Sequence, residues 1–151
     1  MSDDYICIIP KDPRYVPASS AELEAVMREL MPNAEEIEVE TDPGIQFRDC
    51  GGNFETVNCP DCRAELAIED WQEMMDADFI DQDHGFRLKE YALPCCGQAH
   101  FLNDLDYHFT QGFSRYMISA MNPNKGTLSA AEAQRLERAM GCAVTIIYRH
   151  L

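Results

Sequence analysis

The chain has 151 residues, 46% of them apolar, and a formal net charge of −15. That size and apolar share support one core, so residues 1–151 are expected to form a single domain. No run approaches the ~20 consecutive apolar residues of a membrane-crossing helix, and so acidic a chain lacks the basic footprint of a nucleic-acid binder.

The start, Met1-Ser2-Asp3-Asp4, is acidic and lacks the basic-then-apolar pattern of a secretory signal. Tyr5-Ile6-Cys7-Ile8-Ile9 is an apolar run closed by Pro10, consistent with a buried strand. After a loop with two prolines, Ser19-Ser20-Ala21-Glu22 offers a capping box. Leu23, Val26, Met27 and Leu30 then recur at helical spacing until Pro32 stops the helix. Glu36 to Glu40 alternates with period two, which predicts a strand with Ile37 and Val39 inward. Ile45-Gln46-Phe47 and Phe54 to Val57 read as two further strands, with Cys50-Gly51-Gly52-Asn53 as the turn between them.

The middle of the chain predicts a helix over Ile68 to Ile80, with Trp71, Met74, Met75 and Phe79 on its apolar side. A strand is expected from Phe86 to Ala92. Phe113 to Ser119 is a further strand, and Asn122 to Gly126 a turn. Ser129-Ala130-Ala131-Glu132 is a second capping box. The helix it opens turns Leu136 and Met140 inward and ends at Gly141 in a left-handed cap. Ala143 to Tyr148 closes the pattern as a strand. The expected fold class is α+β: two strand–helix–strand units forming a mixed sheet with helices on one face, and a central zinc-ribbon-like segment over about residues 50–108.

That central segment rests on cysteine spacing. Cys59-Pro60-Asp61-Cys62 is a turn that aims two thiolates at one metal ion, the proline fixing one φ angle. Pro94-Cys95-Cys96-Gly97 is an altered second turn, because the residue three before Cys96 is Leu93 instead of cysteine. Cys59, Cys62 and Cys96 are the natural ligands of one structural Zn²⁺. The fourth place is open to Cys95, adjacent to Cys96, or to His100, at the spacing of a Cys₃His site. A relic site without metal and a set of disulfides are the competing readings. Cys7 and Cys142 lie in or beside apolar stretches and read as small buried hydrophobes, and the distribution of all seven cysteines suits a reducing cytoplasm.

The acidity is uneven. Between Glu65 and Asp83 there is no Lys or Arg, whereas Glu65, Glu69, Asp70, Glu73, Asp76, Asp78, Asp81 and Asp83 follow one another. Such a surface draws basic partners and speeds their association, and Asp76, Asp78, Asp81 and Asp83 are its candidate contact residues. Against this stands a solvated face kept for solubility.

Cys50-Gly51-Gly52-Asn53-Phe54-Glu55, the Cys59-Pro60-x-Cys62 turn, Pro94-Cys95-Cys96-Gly97 and Leu102-Asn103-Asp104-Leu105-Asp106-Tyr107 followed by Gly112-Phe113 occur in this order. Together they resemble a little-characterised family of small bacterial proteins with a CPxC … PCCG … SLNDL pattern. The resemblance covers most of the chain and implies a bacterial, cytoplasmic protein with paired cysteine motifs. A small polar residue near His100 in the family pattern favours Cys95 as the fourth ligand. Some members carry a transporter-ATPase label, but this chain has no G-x-x-x-x-G-K-[ST] phosphate loop.

His100, Asp104, Asp106 and His108 fall within nine residues and are the only candidates for acid–base chemistry. Thiolate-rich zinc is usually structural, and no H-E-x-x-H, G-x-S-x-G or deaminase pattern occurs. The expectation is therefore a non-enzymatic acidic zinc protein that binds a basic protein partner, as an immunity protein neutralises a toxin. The alternatives are a zinc-stabilised interaction scaffold and a zinc-dependent hydrolase.

Overall fold

The computed structural model describes residues 2–151. Four strands form the main sheet: β1 (Asp4–Pro10), β2 (Glu36–Arg48), β7 (Gly112–Met121) and β8 (Val144–His150), in the spatial order β2-β7-β1-β8. Helix α1 (Ala21–Leu30) links β1 to β2, and α3 (Ala130–Met140) links β7 to β8. Everything between Arg48 and Gly112 is an insert. It carries β3 (Thr56–Asn58), α2 (Ile68–Asp78), β4 (Glu90–Ala92), β5 (Ala99–Phe101), a 3₁₀ turn at Leu102–Asp104, and β6 (Asp106–His108).

The sheet is antiparallel at all three pairings, not mixed as the sequence predicts. The reason is interleaving. β1 and β2 point the same way but do not touch, because β7 runs between them in the opposite sense; β7 and β8 are separated by β1 in the same manner. This is the split β-α-β arrangement of ferredoxin-like sheets. Parallel contacts are isolated bridges, Ile45 with Gly85 and Gly51 with His150.

Strand parity decides which core each residue joins. Ile6 and Ile8 of β1 face α1 and α3, where Leu23, Met27, Leu136 and Met140 cover them together with Ile118 and Tyr116. Cys7 and Ile9 face the other way, onto Cys50, Met117 and Ile147. β1 is thus buried on both faces, as its unbroken apolar run requires. The opposite face also receives the insert. Phe47 and Phe113 of the sheet stack with Trp71 and Phe86, and Val57, Leu66, Met75, Leu93, Leu102 and Tyr107 complete that second core.

Both ends of α3 are built as the sequence predicts. Ser129 and Glu132 form the reciprocal capping box, and Gly141 at φ 90° is the left-handed cap. At α1 the capping box does not form: the Ser20 hydroxyl pairs instead with the Tyr116 hydroxyl at 2.7 Å, tying the helix start to the sheet. Nor are Glu36–Glu40 and Ile45–Phe47 separate strands. They are one strand, β2, whose register against β7 shifts between Thr41 and Gln46, where Pro43 and Gly44 interrupt the ladder. Arg48, buried at its end, donates to Glu40 at 3.1 Å and to Asp42 at 2.8 Å across that irregularity.

The largest departure lies after α2. The helix stops at Asp78, and the expected strand from Phe86 shrinks to Glu90–Ala92. Asp78 causes both. Its carboxylate is fully buried and accepts from the Leu88 N–H at 2.7 Å, the Lys89 N–H at 3.0 Å and the Tyr91 hydroxyl at 2.8 Å. These bonds hold Leu88 at a left-handed φ of 56°, which no strand permits. Asp78 is consequently not a surface contact residue, whereas Asp76, Asp81 and Asp83 are exposed.

A buried carboxylate with three donors is costly to remove, since each hydrogen bond to a charged group contributes about 1.5–3 kcal/mol and the donors stay buried. Asp78→Ala is expected to lower unfolding free energy by about 3 kcal/mol or more by chemical denaturation. Asp76→Ala should change it by no more than about 0.5 kcal/mol. Equal effects of the two would refute this assignment.

Candidate metal centre

Two turns from distant parts of the insert meet at one point. The first follows β3: the Cys59 N–H donates to the Ala64 carbonyl at 2.9 Å, and the Arg63 N–H returns to the Cys59 carbonyl at 3.0 Å. The second joins β4 to β5: the Leu93 N–H donates to Gln98 at 3.0 Å, and the Gly97 N–H to the Leu93 carbonyl at 2.8 Å. The two turns have the same hydrogen-bond pattern. Arg63 and Gly97 occupy equivalent places, with φ of 67° and 77°.

This equivalence pairs Cys62 with Cys96, Asp61 with Cys95 and Cys59 with Leu93. Leu93 keeps the buried position of a first cysteine, 1% exposed against 0% for Cys59, and contributes its side chain to the core instead of a thiol. The missing sulfur is supplied two residues later by Cys95.

The sulfurs of Cys59, Cys62, Cys95 and Cys96 all lie within 4.8 Å of one another. Cys59 and Cys96 are 3.7 Å apart, and Cys95 and Cys96 3.9 Å. A tetrahedron with metal–sulfur bonds of about 2.3 Å has edges of about 3.8 Å, so the observed spacing suits four thiolates around one ion. It does not suit a disulfide, whose sulfurs sit about 2.05 Å apart, and all seven cysteines are free.

The thiols also differ in acidity. Burial pushes the Cys59 thiol up, but the N–H groups of Cys62 and Asp61 and the thiols of Cys62 and Cys96 stabilise its thiolate and bring it down to about 6. Desolvation, then hydrogen bonds within the cluster, push Cys95 up to about 12. The Gln98 N–H favours the Cys96 thiolate, yet desolvation and the Cys59 sulfur hold Cys96 above its usual range. One negative charge is readily accommodated and the next is resisted. A cation at the centre of the four sulfurs would offset that repulsion.

His100 does not join them. It sits on β5 with Nε2 2.5 Å from the Asp61 carboxylate, so it links the second hairpin to the first turn. No feature of the sequence signals this contact, which depends on the two turns being brought together. The other acid–base candidates diverge as well. His108 pairs with Asp106 at 3.2 Å, and Asp104 lies on the 3₁₀ turn beside a separate cavity with Lys11 and Gln111.

Titration of the reduced protein with Co²⁺ should give thiolate charge-transfer absorption saturating at about one equivalent per chain. Cys59→Ser should abolish it and His100→Ala should retain it; loss of the band in His100→Ala would place the imidazole in the ligand set.

Comparison of the chain with protein-family models, with curated proteins and with solved structures gave no match.

Proposed function

We propose that this is a non-enzymatic, zinc-stabilised acidic protein of the bacterial cytoplasm that binds a basic protein partner, in the manner of an immunity protein that neutralises a toxin. The observation that carries the reading is the all-thiolate cluster of Cys59, Cys62, Cys95 and Cys96. Soft thiolates in tetrahedral array select Zn²⁺, and four protein ligands close the site. A catalytic zinc instead keeps a position open for water. In this reading the segment over about residues 50–108 is a zinc-ribbon-like insert borne on two strand–helix–strand arms, and its metal has a structural role.

The partner side rests on charge. Glu69, Glu73 and Asp76 are exposed on α2, and Asp81 and Asp83 in the loop after it, with no Lys or Arg in the stretch from Glu65 to Asp83. His84 pairs with Asp81 at 2.8 Å, and Arg87, just past the acidic stretch, donates to the Ala77 carbonyl at 3.4 Å. A field of one sign on one element accelerates encounter with a basic protein and repels phosphate backbones. No helix among the described residues is long and apolar enough to cross a membrane.

The purified, reduced protein should contain about one zinc per chain, and Cys59→Ser should lose both the metal and cooperative unfolding, because structural zinc binding is coupled to folding. A cooperatively folded, metal-free protein from zinc-supplemented medium would contradict the metal assignment.

Lysine at Asp76, Asp81 and Asp83 together should slow association with the partner recovered from the native host by about tenfold or more. That difference should shrink as salt rises, because charges farther apart than about 8 Å are screened at 0.15 M ionic strength. Unchanged association at low salt would leave a zinc-stabilised scaffold whose acidity serves solubility alone.

A further inference from the structure

Beside the cysteine cluster, α2 and β4 leave a groove of about 280 Å³ between them. Its walls are Met74 and Ala77 from the helix, and Tyr91, Ala92 and Pro94 from the strand and the turn after it. Asp70 and Glu73 stand at its rim. We propose that this groove is the docking site for one apolar side chain of a short basic segment, with Asp70 and Glu73 engaging the Lys or Arg residues that flank it. The inference rests on the basic partner proposed above and narrows it from a charged surface to an anchored peptide.

Size argues for a side chain as the occupant. Pockets for whole small molecules span about 300–1,000 Å³, and this groove stands at the low end of that range. Interface anchors, in contrast, are single apolar or aromatic side chains seated in small pockets. The groove stays open because Ala77 and Ala92 in its walls are too short to fill it, and both are exposed. One wall is rigid: the Tyr91 hydroxyl is held by the buried Asp78 at 2.8 Å, so its ring position is set before any partner arrives. The opposite wall is Met74, half-buried, whose flexible thioether adapts to different anchors.

Charge identifies what surrounds the anchor. Neither Asp70 nor Glu73 forms an ion pair with a base among the described residues. Their neighbours along the helix face, Glu69 and Asp76, carry the same sign. An acidic peptide would meet like charges along the helix side of the groove, and a neutral apolar segment would leave those carboxylates without counter-charge. A basic segment with one central apolar residue satisfies both the rim and the walls.

The test uses the full-length, metal-loaded protein and three synthetic nine-residue peptides: a central Leu flanked by Lys, the same peptide with Ser for Leu, and the same with Glu for every Lys. Binding is read from methyl resonances of Met74, Ala77 and Ala92. The Leu–Lys peptide should give saturable shifts centred on those methyls, with at least tenfold weaker binding for the Ser peptide and none for the Glu peptide.

Ala77→Glu supplies the decisive variant, since it narrows the groove while adding negative charge at an exposed helix position that glutamate suits. It should weaken the Leu–Lys peptide at least fivefold with an unchanged circular dichroism spectrum. Equal binding of the Leu and Ser peptides would overturn the proposal, as would tighter binding by Ala77→Glu, shifts centred on Asp81 and Asp83, or no binding of either basic peptide. Failure of the broader reading is distinct: there the variant with lysine at Asp76, Asp81 and Asp83 would associate with the host partner as fast as the unaltered protein.

Discussion

Convergence of four cysteine sulfurs within 4.8 Å is the constraint around which the insert is arranged. Its two ladders, β3 with β6 and β4 with β5, are three residues long on each strand. Two-stranded ribbons are marginal in water even when longer than these. The insert therefore draws its order from contacts between its parts and from the core they share. The cysteine cluster joins the turn after β3 to the turn after β4, the Asp61–His100 contact reinforces the same joint, and Asp78 ties the end of α2 to the chain entering β4. Trp71 supplies the attachment to the sheet. Its indole N–H donates to the Tyr107 hydroxyl at 3.1 Å, which in turn donates to the Leu102 carbonyl at 2.8 Å, while Phe47 of the sheet packs against its ring.

This arrangement places the chemistry and the packing of the insert on different residues of nearly identical turns. Cys59 and Leu93 hold equivalent buried positions against the same core, and only Cys59 adds a sulfur to the cluster. The second turn thereby keeps its backbone form while giving up its first ligand, and Cys95 restores the count from the position that Asp61 occupies in the first turn. Asp61, free of that duty, accepts His100. Three of the four sulfurs lie toward solvent, with Cys59 alone fully buried.

What was legible in the sequence was local. The Cys-Pro-x-Cys turn, the Ser129–Glu132 box, the Gly141 cap and the burial of both faces of β1 each depend on residues a few positions apart, and each has the expected form. What the sequence concealed required a distant partner. The alternation around Phe86 to Ala92 has a strand-like period, yet a carboxylate ten residues away draws that backbone into a turn. Asp78 stands in an acidic run and looks like its exposed neighbours; only the returning chain makes it a buried acceptor. The interleaving of β7 between β1 and β2 was hidden for the same reason, since strand direction follows from crossover geometry and neighbour choice does not.

The strand order also determines when the protein can be completed. β1 leaves the ribosome first and has apolar side chains on both faces, but both of its edge partners, β7 and β8, come from the last 40 residues of the chain. Tyr5 pairs with Met121 on one side and with Arg149 on the other. Until those partners appear, Ile6, Ile8 and Ile9 have no sheet to join, and an unpaired apolar strand of this kind is a template for the wrong partner. The four cysteines and Asp78 of the insert all lie between β2 and β7, but its core also takes in Phe47 of β2 and Phe113 of β7. Synthesis of this chain thus delivers the four clustered cysteines before the last two strands of the host sheet, and leaves the sheet to form in a late, long-range step.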